Sequence, residues 1–352
     1  FGQSAIVDVG NLVASTLTAS TADLLGGRMV FGVSPGGSGT VRNDGLITTP
    51  QGGSVTLIGS RVINTGTILT PGGTTGLVAG DRVTVDFDGD GLVRYQVDAA
   101  AAQALVEHTG RIEADGGRVA IQAGARDALL DTVLNVQGVV RARSASVRNG
   151  EIYLDGGSSG VVQLTGQLDA SGTNAHAHGG EVRVLGDKVG LFGSAGINAS
   201  GDTGGGTILI GGNNQGKGPE HNASQTFVGR DVSISADALT TGNGGRVIVW
   251  ADDWTRYYGF ITTRGGAQQG DHDIVELLGF YQHAPVAGEG LMTGDATECD
   301  AEVHAGFDAV AVLANLHRTG ADVVGVFHRR DRAAAGAEPA GSGGDCGEAA
   351  GQ

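Results

Sequence analysis

Three aspartates stand at alternate positions, Asp86, Asp88 and Asp90, and are followed by Gly91. This D-x-D-x-D-G order is how a calcium-binding loop begins. The loop needs a carboxylate at its twelfth position to complete the oxygen shell, and Val97 stands there instead. The flanking segments are typical of strands rather than helices. We therefore interpret the aspartates as turn-forming residues, whose side chains hydrogen-bond the local backbone.

A second candidate is the histidine pair His176 and His178, in the segment NAHAHGG. Alternate positions of a strand point to one face, so the two imidazoles could together bind a metal ion or haem. The sequence shows no obvious third ligand. A solvated loop is the preferred interpretation, haem or metal binding by this pair is kept as the alternative, and no cofactor is predicted.

The aromatic residues gather in one segment, VWADDWTRYYGF, which also contains acidic residues and an arginine. An exposed stripe of aromatic rings beside carboxylates could stack on sugar rings and so form a binding surface. The alternative is an aromatic stack inside or along the hydrophobic core. The candidates for the binding surface are Trp250, Trp254, Tyr257 and Tyr258.

Paired carboxylates that cleave polysaccharides cannot be assembled from the sequence. Asp115, Asp155 and Asp169 each lie beside a turn glycine or an Ala-Ser-Gly turn, where capping of the turn explains them. A catalytic set would also need basic partners on the same face, and the chain has only 22 Lys and Arg. We predict that the chain is not an enzyme. A polysaccharide-active enzyme is the alternative, which Asp, Arg and Lys clustered along one groove would support.

Two glycine modules recur along most of the chain and must position all of these residues. The first reads Gly-Gly-x-Val-x-aliphatic or close to it, and a sister module, Gly-x-Ile/Leu/Val-x-Ala/Thr, alternates with it. Within a module apolar and polar residues alternate, as in Val55-Thr56-Leu57, which is the pattern of a strand. The first module begins at Gly52, Gly116, Gly179, Gly205 and Gly244, and the second at Gly45, Gly66, Gly110, Gly138, Gly166, Gly196 and Gly259.

Repetition of this kind is typical of a solenoid. One unit cannot bury its apolar face, whereas units stacked in register give every strand a partner above and below and form a continuous aliphatic core. Glycines suit the corners, where positive φ or close packing of neighbouring coils is needed. The sequence therefore predicts an all-β fold, a right-handed parallel β-helix. The alanine-rich segment from Val97 to Val106 is predicted to form a short helical excursion over one face.

The composition agrees with this fold and excludes several classes of protein. Glycine makes up 65 of the 352 residues without a G-X-Y period, so the chain is not a collagen. Hydrophobic residues make up 40% and charged residues 17%, whereas a disordered chain would be more charged and less aliphatic. The formal net charge is −16, with no basic stripe to meet phosphates, so nucleic acid is not expected as a partner.

The modules define one domain over residues 1–280, a parallel β-helix. It begins inside strand-like sequence at Phe1, so its natural N-terminus is expected to be missing. From about Tyr281 the modules stop and Ala, Gly, Arg and His become frequent, so residues 281–352 are predicted to be an atypical, disordered tail. The abrupt change of composition after Asp271 raises the hypothesis of a reading-frame change near His272.

The order of the modules resembles a known family. The strings VDFDGDGLVRYQVD from Val85, GRIEADGGRVAIQAGARDALLDTVLNVQGVVRA from Gly110 and GNGGRVIVWADDWTRYYGFITTRGG from Gly242 are the most characteristic. Together they resemble the N-terminal part of the filamentous-haemagglutinin-like exoproteins of bacterial two-partner secretion. The resemblance covers roughly Phe1 to Gly279 and belongs to the order of the modules rather than to any one of them.

The resemblance implies an exported protein. Such chains cross the inner membrane and the periplasm and then leave through an outer-membrane β-barrel transporter, which recognises their N-terminal secretion domain. They fold outside as a β-helix and act, secreted or on the cell surface, as adhesins, haemagglutinins, haem-acquisition proteins or toxin carriers. The expected function is therefore structural and adhesive, with the transporter and a host-cell receptor or glycan as partners. Haem or haem-carrier acquisition is the alternative within the family.

Overall fold

The computed structural model describes residues 1–19, 21–25, 29–33, 39–87, 92–125, 132–145, 149–268, 275–278, 310–312 and 325–329. Nearly all of the regular structure in these ranges is β-strand. The one α-helix among them, α1, is Thr21–Leu25, and a 3₁₀ turn spans Asn214–Gly216. No helix within these ranges has the length and apolar character that a membrane crossing requires.

The strands form three long sheets and one small one. The nine-stranded sheet contains β1 (Ile6–Asp8), β6 (Leu46–Thr48), β9 (Thr67–Leu69), β14 (Arg111–Glu113), β17 (Val139–Arg141), β20 (Gln167–Asp169), β23 (Gly196–Asn198), β26 (Ser233–Ser235) and β29 (Phe260–Thr262). The eleven-stranded sheet contains β2 (Asn11–Ser15), β7 (Ser54–Gly59), β10 (Thr74–Ala79), β15 (Arg118–Ala123), β18 (Glu151–Asp155), β21 (Glu181–Leu185), β24 (Thr207–Ile210), β27 (Arg246–Trp250), β30 (Val275–Leu278), β32 (Gly325–Arg329) and β31 (Val310–Val312). The eight-stranded sheet contains β5 (Thr40–Asn43), β8 (Arg61–Asn64), β13 (Leu105–His108), β16 (Thr132–Val136), β19 (Val161–Leu164), β22 (Lys188–Leu191), β25 (Gln225–Val228) and β28 (Trp254–Tyr257). The small sheet contains β3 (Thr18–Ala19), β4 (Met29–Gly32), β11 (Arg82–Phe87) and β12 (Val93–Ala99).

Successive strands pass from one long sheet to the next, and the order then repeats. β6, β7 and β8 lie in the nine-, eleven- and eight-stranded sheets, and β9 returns to the first of them. Each strand therefore pairs in parallel with the strand one coil away, as β7 does with β10 and β10 with β15. The three sheets are the faces of a parallel β-helix, which confirms the fold class predicted from the sequence.

Columns of aliphatic side chains run through the core because the coils stack in register. In the nine-stranded sheet Ile68 pairs with Ile112, and Ile112 pairs with Val140. All three side chains are fully buried. Each contributes roughly 1.5–3 kcal/mol by leaving water, so the in-register stack is the main stabilising feature of the solenoid.

Neighbouring coils approach closely at two recurring positions, and only glycine fits there. These positions are the second glycine of each Gly-Gly pair and the glycine that opens the sister module. A Cβ added at Gly73 would collide with the carbonyl of Gly53, and one added at Gly110 would collide with the carbonyl of Gly66. In each case the obstacle is backbone of the preceding coil, which cannot rotate away. This contact explains why the modules recur.

The segment predicted to be a helical excursion is not helical. Residues 97–106 divide between the end of β12 and the start of β13, and Ala101 forms a parallel bridge with Ala125. Five alanines in ten residues are too few to nucleate a helix alone, and pairing with neighbouring strands satisfies the same backbone groups. β11 and β12 instead leave the solenoid and pair antiparallel with each other, and β11 also pairs antiparallel with β4. Together they bury a second apolar cluster against the eleven-stranded sheet.

Two strands fall in the predicted tail. β31 and β32 pair antiparallel with each other, and β32 pairs antiparallel with β30. The remainder of residues 281–352 lies outside the described residues, as does His272, so the domain boundary near residue 280 and the disorder of the tail stay predictions.

Candidate functional site

β28 carries two of the four residues of the predicted aromatic cluster, Trp254 and Tyr257, and its alternation places them on different sides of the sheet. Trp254 and Arg256 are partly exposed on the outer face of the eight-stranded sheet. Thr255 is buried, and Tyr257 packs against the hydrophobic core. Burial raises the pKa of the Tyr257 hydroxyl, as expected for a group that faces the interior. Tyr257 therefore belongs to the core, which was the alternative interpretation of the cluster.

Tyr258 stands at the end of a row of outward-facing rings. Its ring centroid lies 5.9 Å from that of Phe227 in β25, with the planes tilted by 52°. Phe227 stacks in turn on Phe192, with centroids 5.2 Å apart and an interplanar angle of 23°. Such pairs contribute roughly 0.5–1.5 kcal/mol each beyond the area they bury. We call Phe192, Phe227 and Tyr258 the aromatic ladder.

A cation extends this row of rings. The guanidinium carbon of Arg256 lies 4.7 Å from the ring centroid of Trp254, a cation–π distance. Arg256 is also the register partner of Phe227. We call the aromatic ladder together with Trp254 and Arg256 the aromatic face. Phe192 is 39% exposed and Tyr258 is 40% exposed, so the face offers apolar, polarisable surface to a partner.

Trp250 lies apart from the aromatic face. It ends β27 in the eleven-stranded sheet, and its indole lies close to the backbone of Gly212 and Gly216 in a long loop. The indole Nε1 donates a hydrogen bond to Asp252 Oδ1 at 2.7 Å. The structure thus places two of the four predicted residues, Trp254 and Tyr258, on a common outer surface and separates the other two from it.

Sequence reasoning missed Phe192 and Phe227. Each is an isolated aromatic residue in its own coil, and the position of Phe227 opposite Gly190 and Arg256 follows only from the register. A signal does exist for Phe192, because Gly190 leaves the space that its ring occupies. A glycine inside a strand can mark the close approach of another group.

The predicted histidine pair is exposed on a loop. His176 has a positive φ of 64°, and its backbone N–H donates to Asp202 Oδ2 at 2.7 Å. His178 lies beside Gly204. Within the residues that the structure describes, no group of three or more His, Cys, Asp or Glu side chains could hold a metal ion. The loop interpretation agrees with this geometry.

Two of the acidic residues considered for catalysis, Asp115 and Asp169, form ion pairs at one corner of the solenoid. Arg141 Nη2 donates to Glu113 Oε2 at 2.5 Å and to Asp115 Oδ2 at 2.8 Å. Arg143 Nε donates to Asp169 Oδ2 at 2.7 Å. Burial alone would lower the pKa of Arg141, but the carboxylates of Asp115 and Glu113 outweigh it and raise that pKa. The charges link neighbouring coils, which is a structural role.

The same aspartates cap turns, as the sequence predicts. Asp155 Oδ1 accepts a hydrogen bond from the backbone N–H of Gly157 at 2.8 Å, and Asp169 Oδ1 accepts one from Ser171 at 3.1 Å. Of the three alternating aspartates, Asp86 lies in β11 opposite Arg94. Asp88 and Asp90 lie outside the described residues.

A buried polar column lies on the inner side of the eight-stranded sheet. Asn43 Nδ2 donates to Asn64 Oδ1 at 2.8 Å, and Asn64 Nδ2 donates to His108 Nδ1 at 3.1 Å. His108 Nε2 in turn donates to the carbonyl of Val139 at 3.2 Å. All three side chains of the column are fully buried. Burial lowers the pKa of His108 to about 4, against the smaller opposing effect of its hydrogen bonds, so the imidazole is neutral in the folded protein.

Comparisons with known proteins place this geometry in context. A family model described as the TPS secretion domain matches residues 1–173. The crystal structure of the HMW1 secretion domain from Haemophilus influenzae is similar, with a TM-score of 0.67 and 30% sequence identity, over 76% of this chain and 68% of that chain. No curated protein matches the chain. The likeness therefore extends through sequence and fold over most of the described solenoid.

Proposed function

The chain belongs to the family of two-partner secretion (TPS) domains, and on this premise we propose that it leaves the cell through an outer-membrane β-barrel transporter and acts outside as a structural, adhesive shaft. Export in a two-partner system is the property of the family. The particular transporter, the surface location and the adhesive role are the proposed part. The observation that carries the proposal is the parallel solenoid with its match to a secretion domain.

The solenoid supports this proposal because it can be built in one direction. Each coil pairs only with its neighbours, so a chain that emerges from a transporter can add one coil at a time to a folded template. The columns of buried aliphatic residues make each added coil favourable. The net charge of −16 over the chain favours solubility outside the cell.

Export is tested by expressing the full chain behind an export signal with and without a cognate two-partner transporter. We expect protein in the culture medium only when that transporter is present. An unrelated transporter barrel serves as the control and should leave the protein in the periplasm. Equal release without the cognate transporter would overturn the transport part of the proposal.

The aromatic face is the proposed site of contact with a host receptor or glycan. Aromatic residues and arginine dominate the energetics of binding surfaces, and Tyr258 presents its ring to solvent at the end of the ladder. We expect Tyr258→Ala to weaken binding of the secreted protein to host cells by roughly fivefold or more. Phe260→Ala is the matched control, because Phe260 is 52% exposed but lies in the nine-stranded sheet. Equal binding by both variants would count against the aromatic face.

Neither alternative from the sequence gains a specific observation in its favour. Haem acquisition would use His176 and His178, which are exposed without a third ligand among the described residues. Polysaccharide cleavage would use acidic and basic residues along a groove, and those at the solenoid corner are paired with one another. Both alternatives stay untested predictions, and the structural role is the one we propose.

A further inference from the structure

A polar cleft of about 220 Å³ lies on the outside of the solenoid, where the small sheet meets the eleven-stranded sheet. Its floor comes from the outward side chains of β15, β18 and β21, and Val93, Arg94 and Tyr95 of β12 form one wall. The cleft shares no residue with the aromatic face. It exists only because β11 and β12 leave the solenoid and fold back over it.

Two ion pairs line the floor and neutralise its guanidinium groups. Arg118 Nε and Nη2 both donate to Glu151 Oε2, at 2.9 and 2.6 Å, and the Arg118 side chain is only 7% exposed. Arg183 Nη2 lies 2.6 Å from Glu181 Oε1, with Glu220 Oε1 at 3.7 Å from its Nε. Because each cation already has a carboxylate partner, the floor favours an uncharged, hydrogen-bonding ligand over an anion.

Gln122 supplies unused hydrogen-bonding capacity. Its side chain lines the cleft and the residue is 8% exposed, yet its carbonyl Oε1 is buried with no hydrogen-bond donor among the described residues. A buried acceptor without a donor is costly. The last torsion of a glutamine is broad and roughly two-fold, so a hydroxyl donor in the cleft would give the rotated amide the partner it lacks.

Two tyrosines line the cleft. Tyr153 rises from the floor strand β18, with its hydroxyl held by a hydrogen bond to Asp155 Oδ2 at 2.9 Å. Tyr95 borders the cleft from β12 and is only 8% exposed, with its ring over Gly76 and its hydroxyl 2.7 Å from Thr56 Oγ1. Rigid rings beside convergent polar groups are what a small polar ligand needs. The volume is below the roughly 300–1,000 Å³ of sites for drug-sized ligands, which limits the occupant to about one sugar ring.

We propose that this cleft binds a single neutral sugar ring, with hydroxyl groups donating to Gln122 and accepting from Arg183, and with the ring packed against Tyr153. The site goes beyond the proposed function, since it lies in a different part of the solenoid from the aromatic face and requires neither export nor adhesion through that face.

The test is saturation-transfer NMR and calorimetry on the purified full chain. The probes are glucose, galactose, mannose and N-acetylglucosamine, with glucuronate as the charged counterpart of glucose. We expect at least one neutral sugar to bind, and to bind more tightly than glucuronate. Gln122→Leu should weaken that binding roughly five- to tenfold. Gln163→Leu, on the outer side of β19 and outside the cleft, should leave it unchanged.

Three results would overturn the proposal: no neutral sugar binds at millimolar concentration, glucuronate binds more tightly than every neutral sugar, or Gln122→Leu binds as the unaltered chain does. If Gln122→Leu fails to fold, Arg183→Gln decides the matter in the same way, since that side chain is 30% exposed. A chain that is exported and adheres to cells but binds no sugar would refute the cleft alone. One that binds sugar but is not exported would refute only the transport proposal.

Discussion

Acidification should destabilise the solenoid through His108. In the folded protein Nδ1 of His108 accepts a hydrogen bond from Asn64, and Asn64 in turn accepts one from Asn43. A proton on Nδ1 would place two donors against each other in a fully buried column. Rotating the amide of Asn64 would only move the conflict to Asn43, so the column has no inexpensive rearrangement.

The sign and size follow from the two pKa values. The pKa of His108 is about 4 when folded, against 6.5 for an ordinary histidine. Between these values the unfolded chain takes up the proton and the folded chain does not, so stability falls as pH drops from 6.5 towards 4. The difference between the two pKa values corresponds to roughly 3 kcal/mol of folding stability. This contribution is fully present above pH 6.5 and fully lost below pH 4.

The assay is urea unfolding at several pH values for the unaltered chain and for His108→Asn. Asparagine continues the Asn43–Asn64 column in register but does not titrate. We expect the free energies of unfolding of the two proteins to differ by a constant amount above pH 6.5. On going to pH 4 the unaltered chain should lose about 3 kcal/mol more of its free energy of unfolding than His108→Asn does. Titration of carboxylates affects both equally. Parallel pH profiles for the two proteins, or an NMR titration of His108 near its ordinary pKa, would show that this histidine does not control the acid stability.

Three further predictions test the solenoid itself. Ile112→Ala should cost about 2–5 kcal/mol in urea unfolding, because Ile112 is fully buried between its register partners; a loss below about 1 kcal/mol would mean that the site collapses freely. Gly110→Ala should lower the free energy of unfolding by roughly 1–3 kcal/mol. Gly10→Ala is the control, because an added Cβ would find open space there, and it should change stability by less than about 0.5 kcal/mol. Equal effects of the two substitutions would contradict the close approach between coils. Replacing residues 212–222 by two glycines should leave the fold intact, because Gly211 and Ala223 already meet through a backbone hydrogen bond of 2.5 Å. It should also red-shift the Trp250 fluorescence, and loss of the unfolding transition would show instead that the loop is structural.

The fold could be predicted because one physical requirement repeats along the sequence. Gly66 and Gly110 are glycine for the same reason, the carbonyl of the preceding coil, and the aliphatic residues beside them alternate for the same reason, a shared core. The helical excursion was wrong because local alanine content was weighed without tertiary pairing. The partners of residues 97–106 lie in β11 of the same insertion and in neighbouring coils, and nothing in the segment itself identifies them.

The candidate site was less predictable, since its neighbours come from different coils. Tyr257 and Tyr258 are adjacent in sequence, yet one packs on the core and the other on Phe227. Period-two alternation correctly separates adjacent residues of a strand, but it does not say which parity faces out. In β28 the inward-facing positions are those of Thr255 and Tyr257, since Thr255 is buried. Because a threonine is compatible with either side of a strand, its presence does not predict which side faces in.

The inserted segments explain why a solenoid with uniform coils can carry distinct surfaces. β11 and β12 stand between β10 and β13 along the chain, yet β13 pairs with β8 residue for residue, as if the insertion were absent. The loop between β24 and β25 likewise leaves the pairing of β22 with β25 unbroken. The entropy of closing a loop grows only slowly with its length, so such segments add little cost to the stack. The coils supply a rigid floor, and the polar cleft and the packing of Trp250 beside Gly212 and Gly216 both arise where an insertion folds back over that floor.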